Sequence, residues 1–167
     1  MRIGKATGTA LVVAVMMMAA QAVVAEESGS YRALRSFHHD YITIDHGGRT
    51  FTGGMLTGTR TIIESSGGPF VEGANGYTEC LVFSTSSEDG ISLEAPCTDT
   101  DTSGDVMYTR AVRNEGTVGA GGGGEGVWEL LGGTGRYEGV TGSCTYRTEY
   151  LEGGVAVVHA DCTWTKA

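Results

Sequence analysis

Basic residues are scarce. Eleven Lys and Arg stand against twenty Asp and Glu, a formal net charge of −9. Arg2 and Lys5 both fall in the first 25 residues, which contain no acid, so residues 26–167 carry −11. A nucleic-acid binder needs a basic stripe, and docking on anionic lipid needs a basic patch; neither is present. Long apolar runs are scarce too. The only one extends from Ala10 to Ala20, too short for a membrane span, which needs roughly 20 residues. It follows Arg2 and Lys5 and leads to small residues ending at Ala25. That is the order of a secretory signal peptide: charged n-region, apolar h-region, Val-x-Ala cleavage site. The absence of Cys just after Ala25 argues against lipoprotein anchoring. Residues 26–167 are therefore expected to form an exported protein, periplasmic or extracellular, with no membrane span and one domain.

Core formers are also few. Leu, Ile, Val and Phe make up 26 of residues 26–167, just under the roughly 20% line below which charged chains tend to disorder. Three features offset this. The same stretch holds seven Tyr and two Trp, which bury large areas, 19 Thr, a good strand former, and four Cys. A modest core reinforced by cross-links is the expectation. Helical periodicity is absent after Ala25. Short strands with turn signals every 8–12 residues point to an all-β protein, and consecutive antiparallel strands fit an up-and-down barrel of about eight to ten strands.

The cysteines act as rulers. If Cys144 faces Cys162, the turn between them centres on Gly153, in Leu151-Glu152-Gly153-Gly154-Val155, a favoured hairpin loop. Cys144, Tyr146, Thr148 and Tyr150 then share a face with Ala156, Val158, Ala160, Cys162 and Trp164. A slip of one residue would break turn, apolar face and cross-link together. Likewise, Cys80 facing Cys97 puts a turn at Glu88-Asp89 and groups Cys80 and Val82 with Leu93, Ala95 and Cys97. The expected disulfides are Cys80–Cys97 and Cys144–Cys162, each stabilising by about 3 kcal/mol in a loop-entropy model. No Cys-x-x-Cys is present, which speaks against zinc.

Along the chain, 26–30 reads as a flexible start. Tyr31–His38 and Tyr41–Asp45 read as two strands, Phe51–Gly54 and Leu56–Glu64 as two more. Val106–Val112 reads as a strand with Val106, Tyr108 and Val112 on one face. Gly119–Gly126 reads as a flexible glycine loop, and Val127–Leu131 as a strand.

After that strand comes Gly132-Gly133-Thr134-Gly135-Arg136-Tyr137-Glu138-Gly139-Val140-Thr141-Gly142. This segment resembles the G-G-[ST]-G-x-[FY]-x-G-x-x-G segment of allene oxide cyclases and dirigent proteins, and small secreted bacterial proteins that share it. The resemblance implies an eight-stranded antiparallel barrel with a central apolar cavity. Barrels of that kind often form trimers, yet no apolar outer stripe is visible here. Outside the segment no cyclase catalytic position matches, so cyclase activity is not carried over. The residues support the turn on their own: Gly132, Gly133 and Gly135 permit a sharp reversal, Tyr137 can plug the barrel end, and Gly139 and Gly142 allow close backbone approach.

Sites of chemistry are few. The glycine segment lacks the Lys-Ser/Thr and the following helix of a phosphate loop, and nothing implies a cofactor. Asp99-Thr-Asp101-Thr-Ser103-Gly104-Asp105 has the opening of a calcium loop, but Arg110 stands where the bidentate Glu belongs. It reads first as an Asp/Ser/Gly turn, with Asp99, Asp101 and Asp105 as a weaker metal alternative. His38, His39 and His46 read as surface residues. No Gly-x-Ser-x-Gly is present. Tyr108, Trp128, Tyr146, Tyr150 and Trp164 are the candidates for a cavity wall around a small apolar or amphipathic ligand. The alternatives are a filled barrel acting through its loops, as an envelope component or interaction protein, and an isomerase-like enzyme working through cavity shape.

Overall fold

A computed structural model describes residues 26–167; residues 1–25, expected from their sequence to be a signal peptide, lie outside the described residues. Eight antiparallel strands close into one barrel in chain order: β1 (Glu27–His46), β2 (Arg49–Ser65), β3 (Asn75–Ser87), β4 (Gly90–Asp101), β5 (Val106–Arg113), β6 (Gly123–Gly133), β7 (Val140–Leu151) and β8 (Val155–Lys166). One 3₁₀ turn, Gly135–Tyr137, precedes β7. Closure pairs β1 with β8, from Glu27 against Lys166 to His38 against Val155.

Both cysteine hairpins have the expected register. Cys80 faces Cys97 and Cys144 faces Cys162, each pair disulfide-bonded. Their shared faces are buried: Val82, Leu93 and Ala95 on one hairpin, Tyr146, Tyr150, Ala156, Val158, Ala160 and Trp164 on the other.

Four local expectations are corrected. Glu27–Ser30 are not a flexible start, because they pair with Thr163–Lys166 of β8. The polar run His38-His39-Asp40 does not split β1, because its backbone pairs with Met55–Thr57 of β2 without a break. The same ladder runs through Gly53, Gly54 and Met55, so β2 is also one strand. The second half of the glycine loop is strand: Gly123–Gly126 pair with Tyr146–Glu149. Its first half is tied down by Gly121 N donating to Tyr150 O and Tyr150 N donating to Gly122 O, each 2.9 Å.

The β1–β2 hairpin outruns the barrel. Past His38, β1 has no β8 partner, and Ile42–His46 are exposed whichever way they point. On the outer face of this arm Ile42 (72% exposed), Ile44, Phe51 and Phe83 form an apolar patch that the sequence pattern does not reveal. Asp40, Asp45 and His46 stud its free edge, which discourages strand addition.

The 3₁₀ corner depends on glycine. A Cβ on Gly133 would lie 1.8 Å from Val106 O and 2.8 Å from Val106 C, both backbone atoms. Gly133→Ala is therefore expected to destabilise the fold by about 1–3 kcal/mol, the usual range for overpacking. Gly53→Ala, whose new carbon would meet nothing closer than 3.7 Å, is expected to leave stability nearly unchanged. Denaturant unfolding of the two variants beside the parent checks this.

Candidate functional site

The two ends of the barrel differ. At one end the β2–β3 loop folds Phe70 inward, held by the Gly67–Phe70 bridge and by the Ser65 hydroxyl donating to Phe70 O. Phe70 stacks on Tyr31 at 3.9 Å between centroids and packs on Tyr137 at 5.6 Å and Trp164 at 6.0 Å. All four rings are buried, so this end is sealed. Tyr137 is the plug its turn suggested, though Phe70 and Trp164 share the task. Trp164 thus belongs to the seal and not to a cavity wall.

Inside the barrel next to the plug lies an ionic cluster with no sequence forewarning. Arg35 Nη1 donates to both Asp99 carboxylate oxygens, at 3.0 and 2.9 Å, and to Thr78 Oγ1 at 3.0 Å. Thr78 donates its hydroxyl proton to Asp99, and Arg60 Nη1 lies 3.7 Å from the same carboxylate. Arg60 Nη2 also donates to Tyr137 Oη at 3.3 Å. Arg35, Arg60, Thr78 and Asp99 are all essentially inaccessible. Burial by itself would push the Asp99 carboxyl up; Arg35, Arg60 and the Thr78 hydrogen bond outweigh it and hold the group below the usual carboxylate range.

This geometry corrects the calcium alternative. Asp99 points into the barrel to bind arginine. Asp101 and Asp105 build the β4–β5 turn: Asp101 Oδ1 accepts from Ser103 N (2.8 Å), Ser103 Oγ (2.6 Å) and Asp105 N (3.1 Å). Arg136 Nε pairs with Asp101 at 3.1 Å and Asp105 at 3.3 Å, and the Tyr137 hydroxyl donates to Asp101 Oδ2. The three carboxylates do not converge, and no group of three metal-ligating side chains occurs among the described residues.

The other end is open. Trp128 links the ionic cluster to it, with Arg35 Cζ 4.2 Å above its ring and Tyr146 edge-on at 5.6 Å. Beyond Trp128 lies an internal cavity of about 30 Å³, bounded by Leu56, Val82, Leu93, Val158 and the aromatic residues Tyr41, Tyr146 and Tyr150, with Arg113 and Thr148. Outside it, a groove of about 610 Å³ runs between the inner face of the arm (His39, Tyr41, Thr43, Thr52), the β3–β4 hairpin and the 116–119 loop. Tyr41 lines both spaces and is steadied by His39, whose ring stacks on it at 4.5 Å and meets Tyr150 edge-on at 5.6 Å. Burial, then the neighbouring Tyr150, pushes the Tyr41 phenol well above its ordinary value. Burial likewise pushes Tyr146 up to about 12, so the Tyr41 and Tyr146 phenols are neutral at physiological pH.

Of the five proposed wall residues, Trp128, Tyr146 and Tyr150 come together here. Tyr108 does not: it is 48% exposed on the outside. The inner face of β5 carries Met107, Thr109, Ala111 and Arg113, because Thr109 pairs with the inward Cys97. The face that looked more apolar in sequence is the outer one. Tyr41 and Arg113 were missed; the signal for Arg113 was its two-residue spacing from Ala111 and Thr109. A scan against protein-family models finds no match, and a search of curated proteins finds no match either.

Asp99→Asn keeps the shape of the ionic cluster and removes its only inward carboxylate between Arg35 and Arg60. Loss of one partner of a buried pair is expected to destabilise by about 3–5 kcal/mol, read by denaturant unfolding. An unfolded Asp titrates near about 3.9, and the folded value here is lower. The contribution is therefore complete above about pH 4 and is lost as pH falls through the folded pKa. Melting temperature should drop in that window for the parent and less steeply for Asp99→Asn.

Proposed function

We propose that this protein is an exported binding module that holds one small apolar or amphipathic molecule at the open end of the barrel. The observation that carries the reading is the asymmetry of the ends. One is sealed by Phe70, Tyr137 and Trp164 over an ionic cluster in which both arginines face the Asp99 carboxylate. The other leaves aromatic rings and a groove of about 610 Å³, within the usual range of about 300–1,000 Å³ for small-molecule sites. The interior beyond is filled, so the ligand is cradled at the rim with only its tip inside. Two buried disulfides and the absence of any long apolar helix among the described residues agree with an exported chain. The closed eight-stranded barrel and the Gly132–Gly142 segment together support kinship with allene oxide cyclase and dirigent-type barrels. A second reading, an interaction protein of the cell envelope, draws support from the exposed apolar patch of Ile42, Ile44, Phe51 and Phe83.

The neutral apolar fluorophore N-phenyl-1-naphthylamine tests the first reading. Its emission should rise and saturate at one equivalent. Val118→Trp, which places a large ring on the groove wall, should weaken that binding about tenfold, or about 1.4 kcal/mol. An emission rise that never saturates, or one indifferent to Val118→Trp, would reject the groove as the site.

A further inference from the structure

Three arginines are buried in this barrel, and they are not equivalent. Arg35 and Arg60 share Asp99. Arg113, 2% exposed, has no carboxylate within ion-pair distance among the described residues. Its only hydrogen bond runs from Nη2 to Thr117 O at 3.2 Å. Nε and Nη1 have no acceptor, which with the second Nη2 hydrogen leaves four of the five guanidinium hydrogens unused. The Tyr41 hydroxyl, also buried, meets no partner of good geometry. Both groups line the same internal cavity.

An unpaired guanidinium in such a place is costly to retain. Its surroundings hold it there. Gly124 approaches so closely that a Cβ would lie 3.1 Å from Arg113 Cδ and 3.2 Å from Nη1. The Tyr150 ring lies 5.7 Å from Cζ. The cavity, about 30 Å³, exceeds the roughly 10–15 Å³ that one water needs by the same measure and has room for a group of a few atoms and no more. What matches both the space and the open donors is a small planar oxyanion, because a guanidinium fork meets a carboxylate through paired N–H donors.

We propose that the ligand carries a carboxylate, which enters the cavity and is received by Arg113 with the Tyr41 hydroxyl, while its apolar body lies in the groove between the arm and the 116–119 loop. The inference rests on the ligand-binding reading of the same site and adds the chemical class. The protein selects carboxylic acids over neutral molecules of the same shape. The selecting charge sits behind a ring of neutral phenols, and the rest of the surface is acidic. Free inorganic anions lack the apolar body and are held weakly.

The test is a matched pair, 4-phenylbutyrate and 4-phenylbutanol, titrated against the disulfide-intact protein by calorimetry at neutral pH. Charge-assisted hydrogen bonds to Arg113 should make the acid bind roughly 10-fold or more tightly than the alcohol. Arg113→Met, similar in length and uncharged, should reduce that ratio to about one. Arg113→Lys, which keeps charge and loses the fork, should give an intermediate ratio and provides the reading if the Met variant fails to fold. Equal affinity of the parent for acid and alcohol would overturn the proposal, as would a preference that survives Arg113→Met. If N-phenyl-1-naphthylamine binds and neither phenylbutyl compound does, the carboxylate assignment fails while the binding module stands. If none of the three binds, the binding module itself fails.

Discussion

Every side chain in this protein answers to the parity of a closed sheet. In an open sheet a strand can slip at little cost near an edge; here each strand has two neighbours, and a slip of one residue anywhere would turn a whole strand inside out. The two disulfides pin that parity at Cys80–Cys97 and Cys144–Cys162, both buried within the barrel. Once Cys97 faces inward, its partner Thr109 must do so, and Ala111 and Arg113 follow along β5. The same rule turns Arg35 inward between Ala33 and Phe37, and Arg60 inward beside Ile62. Charge enters the core of this barrel through backbone register, and the surrounding residues must then accommodate it.

They do so in two ways. Near the sealed end the solution is charge pairing: Asp99 lies between two guanidiniums, Thr78 supplies a hydroxyl, and an aromatic plug covers them. Near the open end the charge of Arg113 is left with a single backbone carbonyl. A barrel this small has little apolar residue to spend on a core, and part of its interior is cross-linked by ions and sulfur instead. The division separates the tasks. Substitutions in the Asp99 cluster are expected to act on stability, and under the binding function proposed above those around Tyr41 and Arg113 act on recognition.

Much of the architecture was legible because three constraints were redundant. Turn residues, apolar alternation and cysteine spacing all agreed on the β3–β4 and β7–β8 hairpins, and Tyr146 and Tyr150 are buried as that register requires. Where only one signal was present, it misled. Tyr108 looked inward because it shares a face with Val106 and Val112, whereas the true inner face, Met107, Thr109, Ala111 and Arg113, is half polar. Tyr31–His38 and Tyr41–Asp45 read as two strands because the residues between them are polar, whereas a ladder depends on backbone hydrogen bonds that His and Asp supply as well as Val does. Buried arginines were invisible for a related reason: an inward charge is betrayed only by position, Arg35 two residues from Ala33 and from Phe37. The Asp99–Asp105 run shows the limit of spacing alone, since one carboxylate of the series turned inward to a partner on β1, 64 residues earlier.

The β1–β8 seam bears on how the chain comes to be made. Glu27–His38 need Val155–Lys166 to complete their ladder, so the first strand translated waits for the last. At about 5–20 residues per second of synthesis that wait is on the order of ten seconds. Until then β1 offers a bare edge, and no fragment lacking the final dozen residues can close. Such a chain is slow to fold while it emerges and quick to seal once its end is free. A ribosome-released chain thus has an interval in which it stays open enough to be threaded through a narrow pore, and the closed ring that follows has no unpaired strand in its wall to be pulled back through.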